Sequence, residues 1–200
     1  MRDDLEERLA GGDTTVFGEL FTIHRPRIWQ IIHFRLSDQI RSRVDTDDVV
    51  QEVYLDAEKR LQHYIDGDFP SLFLWLRLVV GQTLSNIHRM HLGTASRSVL
   101  REFDADRSGL WENTSVCLSQ RFIAHLTSPS QIAVKGELMD EVRKALDNIS
   151  EMDQEILALR HFEELTNQEV AIELGINPKT ASIRYMRALT RLRGVLERLP

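Results

Sequence analysis

The sequence predicts an all-α protein of two small helical domains joined by a flexible linker, with a helix-turn-helix in the second. Three observations carry that prediction. Apolar residues recur every three to four positions over most of the chain, and its five prolines are too few to break many helices. A stretch between His91 and Ser130 collects Gly93, Ser96, Ser98, Ser108, Gly109, Asn113, Thr114, Ser115, Thr127, Ser128 and Pro129, which interrupt any long period. Beyond it, Thr166-Asn167-Gln168-Glu169 forms a capping box and is followed by Gly175 and then Asn177-Pro178, a helix start, a turn and a second start within thirteen residues.

Taken in order, Asp4 to Ala10 reads as a short helix stopped by Gly11-Gly12. A second helix, from Asp13 or Thr14, puts Val16, Leu20, Ile23, Ile28, Ile31, Ile32 and Leu36 on one stripe, with Pro26 expected to kink or restart it. The third begins near Thr46, with Thr46 or Asp47 as N-cap. Val49, Val50, Val53, Tyr54, Ala57 and Leu61 form its apolar face, and its first turns are rich in carboxylates, which the helix dipole favours. Asp66 to Pro70 is a turn, and Ser71 caps a fourth helix from Leu72 to about Met90. After Pro129, helix is expected over Ile132 to Leu146. Another should run from the N-cap Ser150 to about His161, followed by the two helices of the helix-turn-helix. The domains predicted are 1–91, a linker over 92–130, and 131–200.

The chain has 200 residues, 42% of them apolar, enough for a real core. Cys117 is its one cysteine, so neither an intramolecular disulfide nor a multi-cysteine metal site can form, and a reducing, cytoplasmic setting fits. Its longest apolar runs fall well short of the roughly 20 residues that span a bilayer, and the start Met1-Arg2-Asp3-Asp4 has no signal-peptide character. The net charge of -6 is unevenly distributed. Asp45 to Asp68 is acidic; Arg77 to Arg101 carries Arg77, Arg89, Arg97 and Arg101 with no carboxylate; and the C-terminal stretch holds Lys179, Arg184, Arg187, Arg191, Arg193 and Arg198 against Glu197. That arrangement fits one surface for protein and two for nucleic acid.

The helix-turn-helix is the most specific signal. Val170, Ala171 and Leu174 should face inward, and the small Ala171 allows close helix crossing. Gly175 supplies a left-handed turn, and Ile176 plugs the corner. The helix from Pro178 then offers hydrogen-bonding and cationic side chains to a major groove. Its DNA-binding candidates are Lys179, Thr180, Ser182, Ile183, Arg184, Arg187 and Arg191, the last assigned to phosphate.

On these residues the chain resembles the extracytoplasmic-function (ECF) class of RNA polymerase sigma factors. Ile149 to Thr166 resembles the helix before the family's helix-turn-helix, and Thr180 to Leu189 its recognition helix. In the other half, Asp47-Asp48-Val49-Val50-Gln51-Glu52-Val53-Tyr54-Leu55 resembles the helix that docks on the polymerase clamp. Ser71 to Val80 resembles the segment that melts and reads the upstream promoter element. The resemblance implies polymerase binding through Asp47, Asp48, Val50, Gln51 and Glu52. It also implies minus-ten recognition through Phe69, Phe73, Trp75, Asn86, His88 and Arg89, where aromatic faces stack on unpaired bases, and minus-thirty-five recognition through the helix from Pro178. The implied partners are core RNA polymerase, at its clamp and flap regions, and promoter DNA as duplex and as melted strand; whether an anti-sigma factor is also a partner is left open by the sequence, and membrane insertion is not expected. Gly81-Gln82 stands where the family usually has Arg-Asn, Ala181 where valine is usual, and Ser182-Ile183 where Lys-Ser is common, so promoter sequence does not transfer from a relative. Glu102, Asp104, Asp106 and Glu112 in the linker are candidates for an RNA-mimicking path.

A free-standing helix-turn-helix regulator is the nearest alternative, but the N-terminal half lacks the strand-helix alternation of a receiver domain. An enzyme would need a catalytic constellation. The seven histidines are scattered, no phosphate-binding glycine loop occurs, and only His88 and His91 share a helical face. The expectation is a non-enzyme without cofactor or metal.

Overall fold

The computed structural model describes residues 2–92, 114–126, 142, 144, 146 and 148–196, and among them every regular element is helical. The chain divides into two compact units, Met1–His33 with Gln39–Gly109, and Phe34–Asp38 with Leu110–Pro200.

In the first unit, α1 (Arg2–Ala10) buries Leu5 and Leu9. Gly12, at φ +92°, turns the chain, and Asp13 caps the following 3-10 turn by accepting from the Thr15 amide while pairing with Arg8 at 2.7 Å. Helix α2 (Phe17–Arg35) continues through Pro26 without restarting there. Thr22, whose carbonyl loses its helical donor there, and Pro26 are both on the exposed side, where water can replace the bond. Leu20, Ile28, Ile31 and Ile32 are fully buried, but Ile23, expected on the same stripe, is 39% exposed. A short helix α3 (Asp38–Arg41) buries Ile40.

Helix α4 (Thr46–Lys59) is capped by Asp45, one residue earlier than predicted, through a 2.7 Å bond from the Asp47 amide. Its Val49, Val50, Val53 and Ala57 are buried, and the helix packs on α6 (Leu72–Leu92). Burial of each valine contributes roughly 1.5–3 kcal/mol. Tyr54 joins Phe17 and Phe21 in an aromatic cluster with centroids 5.0–6.0 Å apart. Between them lie α5 (Leu61–Asp66) and the turn at Gly67, where a Cβ would collide with the Phe69 ring and the His63 carbonyl. Ser71 caps α6 by accepting from the Leu74 amide.

In the second unit, α7 (Thr114–Leu126) is a 13-residue helix inside the stretch expected to be linker. Its Cys117 and Leu118 belong to a core with Phe34, Val142, Leu146, Ile149, Leu157, Ala158, Ala188 and Leu192. Composition misleads here because the serines and threonine lie on a helix with an apolar face. Of the predicted helix Ile132 to Leu146, the described residues Val142, Lys144 and Leu146 are helical, and the rest lies outside the described residues. So do Glu102, Asp104, Asp106 and Glu112. Ser150 caps α8 (Glu151–Leu157) as predicted, and a π-helical turn, Ala158–Phe162, continues it. Helices α9 (Asn167–Leu174) and α10 (Pro178–Leu196) complete the unit.

Arg35, 2% exposed, is enclosed in this second unit. Its guanidinium donates to Glu155 at 2.5 and 3.1 Å, to Glu163 at 2.5 Å and to the Thr114 hydroxyl at 2.6 Å, while Thr114 donates onward to Glu155 at 2.6 Å. The two carboxylates outweigh the cost of burial and hold the Arg35 pKa above its ordinary value.

Candidate nucleic-acid interface

The best-defined surface is built by α9 and α10. Thr166 and Glu169 form both bonds of the capping box, the Glu169 amide to Thr166 Oγ1 at 3.2 Å and the Thr166 amide to Glu169 Oε2 at 2.7 Å. Gly175 ends α9 in the left-handed conformation, φ 63° and ψ 35°. Asn177 accepts from the Lys179 amide at 2.8 Å, and Asn167 Nδ2 donates to the Pro178 carbonyl at 2.8 Å, tying the two helix starts together. Val170, Ala171, Leu174 and Ala181 are buried, as the turn geometry requires.

With Ala181, Ala188 and Leu192 facing the core, Lys179, Thr180, Ser182, Ile183, Met186 and Arg187 face outward on α10. Arg184 and Arg191 stand at the edge of this face, and both donate at 3.2 Å to Asp153, a 3% exposed residue of α8, one to each carboxylate oxygen. Sequence reasoning missed Asp153 because its partners lie 31 and 38 residues away. It also missed Met186, whose spacing of three from Ile183 was the available signal. On the adjoining edge, Tyr185 meets His161 Nε2 at 2.9 Å, and Arg160 lies over the Tyr185 ring at 5.2 Å. Burial and the neighbouring Arg160 charge lower the His161 pKa, favouring a neutral ring that can accept the Tyr185 hydroxyl proton.

In the first unit, Asp47, Asp48, Gln51 and Glu52 are exposed on α4, and Val50 is buried beneath them. Gln51 also lines a groove of about 460 Å³ between α2 and α4, together with Phe21, Thr22, Arg25, Val50 and Leu55 among others. Arg25 crosses to Asp47 at 2.5 Å, and Leu55 stands 51% exposed at the rim. Sequence analysis missed Arg25, since pairing across helices has no local signature, and gave Leu55 no role of its own within the docking stretch.

The residues proposed for minus-ten recognition are divided by the fold. Asn86 and Arg89 are exposed, with Arg89 donating to the Asn86 carbonyl oxygen. His88 is half-buried and its pKa is lowered by that burial. Phe69 is half-buried, 6.0 Å from Tyr64 and 6.4 Å from Trp75 between ring centroids. Phe73 and Trp75 are 1% and 2% exposed, which corrects the expectation that they offer faces to bases. They lie on the core side of α6, with the Arg27 guanidinium 3.4 Å above the Phe73 ring. Among the described residues no cluster of histidine, cysteine and carboxylate could hold a metal, and no helix is long and apolar enough to cross a membrane.

Comparison with known proteins bears on both surfaces. Residues 139–192, which include α8, α9 and most of α10, match the family model described as Sigma-70, region 4. Over 191 residues the chain is 26% identical to the ECF RNA polymerase sigma factor SigD of Mycobacterium tuberculosis (strain ATCC 25618 / H37Rv) and to that of Mycobacterium bovis, covering 96% of this chain and 82% of theirs. Among solved structures it is similar to that of CnrH in complex with the cytosolic domain of CnrY, with a TM-score of 0.50 and 20% identity over 96% of this chain and 95% of the other. That last likeness is one of fold.

Proposed function

We propose how this chain, a sigma factor of the ECF class that directs promoter-specific transcription initiation, divides that work between its two units. It binds RNA polymerase and promoter DNA. In our reading, residues 131–200 recognise the minus-thirty-five duplex through α10. Lys179, Thr180, Ser182, Ile183 and Arg187 face the major groove, and Arg184 and Arg191 serve the phosphate backbone. Base contacts specify and phosphate contacts position. The observation that carries this assignment is the face of α10, which has no carboxylate from Pro178 to Leu196 and is presented by a fully capped helix-turn-helix.

Residues 1–91 then engage core polymerase and the melted minus-ten strand. The exposed Asp47, Asp48, Gln51 and Glu52, with the groove beside them, suit a basic partner helix on the polymerase clamp. Asn86 and Arg89, both exposed, are the minus-ten contacts we retain, and Phe69 and His88 are partly accessible. Phe73 and Trp75 act by supporting α6 from the core. The protein works where the polymerase is, in the cytoplasm. An anti-sigma factor is a further partner in this reading, because CnrH, its structural relative, was solved bound to another protein's cytosolic domain.

In vitro transcription with bacterial core polymerase, with and without the protein, on DNA from its own genome tests the proposal. Transcripts from discrete sites that require the protein support it. Duplex binding by the protein alone, without polymerase binding, would support a free-standing regulator instead.

A further inference from the structure

The outward face of α10 is cationic except at its centre. At 100° per residue, Ile183 lies opposite the buried Leu192, flanked by Lys179 and Arg187, with Met186 about 60° to one side. Ile183 is 51% exposed and Met186 61%, two large apolar side chains left in water on the surface that meets DNA. The charge around them suits phosphate. A second protein's apolar patch would have to approach past Lys179, Arg187 and Thr190, whereas a duplex is attracted by the cations. In the major groove the edges of the bases are polar except for one group, the C5 methyl of thymine.

From this we infer that Ile183 and Met186 read thymine methyl groups in the minus-thirty-five element, making part of this protein's promoter preference apolar. The inference rests on the sigma-factor reading above and specifies what its recognition helix selects. Arg184 and Arg191 leave the task to them, because Asp153 holds both guanidinium groups at the edge of the face. Removing one methyl from a buried contact weakens binding about fourfold, from the usual cost per carbon.

The test uses holoenzyme assembled from core polymerase and the full chain, on duplexes of a promoter mapped by its transcripts. Each minus-thirty-five thymine is replaced singly by deoxyuridine, which keeps the base pair and its hydrogen bonds and removes only the methyl. At one or two positions wild-type holoenzyme should bind thymine about fourfold better than uracil. In Ile183→Ser or Met186→Ser that ratio should fall to one at the position each residue reads. Lys179→Ala should lower both affinities together and leave the ratio intact. The ratio is internal to each variant, so a partly unfolded variant does not imitate the result.

A ratio of one at every thymine in wild type overturns the inference, as does a ratio unchanged in both serine variants. So does a minus-thirty-five element without thymine, or serine variants that lose core polymerase and keep promoter preference. In all of these the sigma-factor reading stands. That reading fails only if the holoenzyme initiates at no discrete site.

Discussion

Asp153 and Arg184 meet at 3.2 Å across α8 and α10, the carboxylate almost wholly buried and the guanidinium about one-third exposed. The other oxygen of Asp153 holds Arg191 at the same distance. An arginine committed to a buried carboxylate is poorly placed to fork onto a guanine, but keeps its charge near the backbone. Arg184→Ala should therefore weaken promoter binding by a similar factor on every sequence and reduce the salt dependence by about one counterion, without relaxing any single base position. Binding titrations over a series of salt concentrations and single-base variants would measure both. Relaxation at one position would return Arg184 to base reading.

Asp153→Asn keeps the shape and removes the charge that both arginines share. It should cost about 1 kcal/mol in stability, at the modest end because both arginines are partly solvated. By freeing both guanidinium groups it should also shift promoter affinity by a similar factor on every sequence while leaving core polymerase binding unchanged. Denaturant titration and binding to cognate and mutated promoters would separate the two effects.

Arg35 is held differently. It is buried with Glu155 and Glu163, so removing it leaves two carboxylates inside the second unit without their cation. Arg35→Ala should destabilise the protein by about 3–5 kcal/mol. Arg35→Lys should recover only part, because one ammonium cannot reproduce a fork that reaches two carboxylates and the Thr114 hydroxyl. Chemical denaturation followed by circular dichroism would show both. Near-wild-type stability in Arg35→Ala would mean that the network contributes little.

These relationships mark where the sequence stops being informative. The capping box at Thr166, the cap at Ser150, the turn at Gly175 and the restart at Asn177 were legible because each joins groups within four residues. The partners of Arg35 lie 79 to 128 residues away, and no local pattern marks an arginine at the end of an apolar helix as buried. Phe73 and Trp75 show a related limit. Periodicity predicted an apolar helix, but so many of its positions are apolar that only packing decides which face the core. The stretch read as linker shows the opposite case, since Thr114 and Ser119, polar in composition, are buried in α7 along with Cys117 and Leu118.

His161 offers a pH test in the same unit. Its folded pKa is lowered, so the unfolded chain takes the proton first as pH falls. The stabilisation from the neutral ring is complete above the ordinary histidine pKa, near 6.5, and is lost as pH falls from there through the folded value. His88 acts in the same direction through burial alone. His161→Gln should therefore lose less stability than wild type between pH 7.5 and pH 5.5, while retaining part of the slope from His88. Unfolding curves at the two pH values decide it, and an unchanged slope would show that His161 does not titrate with folding.

Leu55 stands half exposed at the rim of the α2–α4 groove, one turn beyond Gln51 on the same side of α4 as the acidic edge. An apolar side chain at the mouth of a groove, on a helix that also exposes Asp47, Asp48 and Glu52, fits a partner helix that brings one apolar residue among its cations. Leu55→Asp would put a charge where that residue must lose its water. It should lower affinity for core polymerase tenfold or more while leaving stability within about 0.5 kcal/mol, since the position is on the surface. Asp48→Lys should act instead on the association rate, and increasingly so at low salt, because an exposed carboxylate steers the encounter more than it holds the complex. Association and dissociation rates for immobilised core polymerase distinguish these effects. If both variants bound as wild type does, the docking surface would lie elsewhere on the first unit.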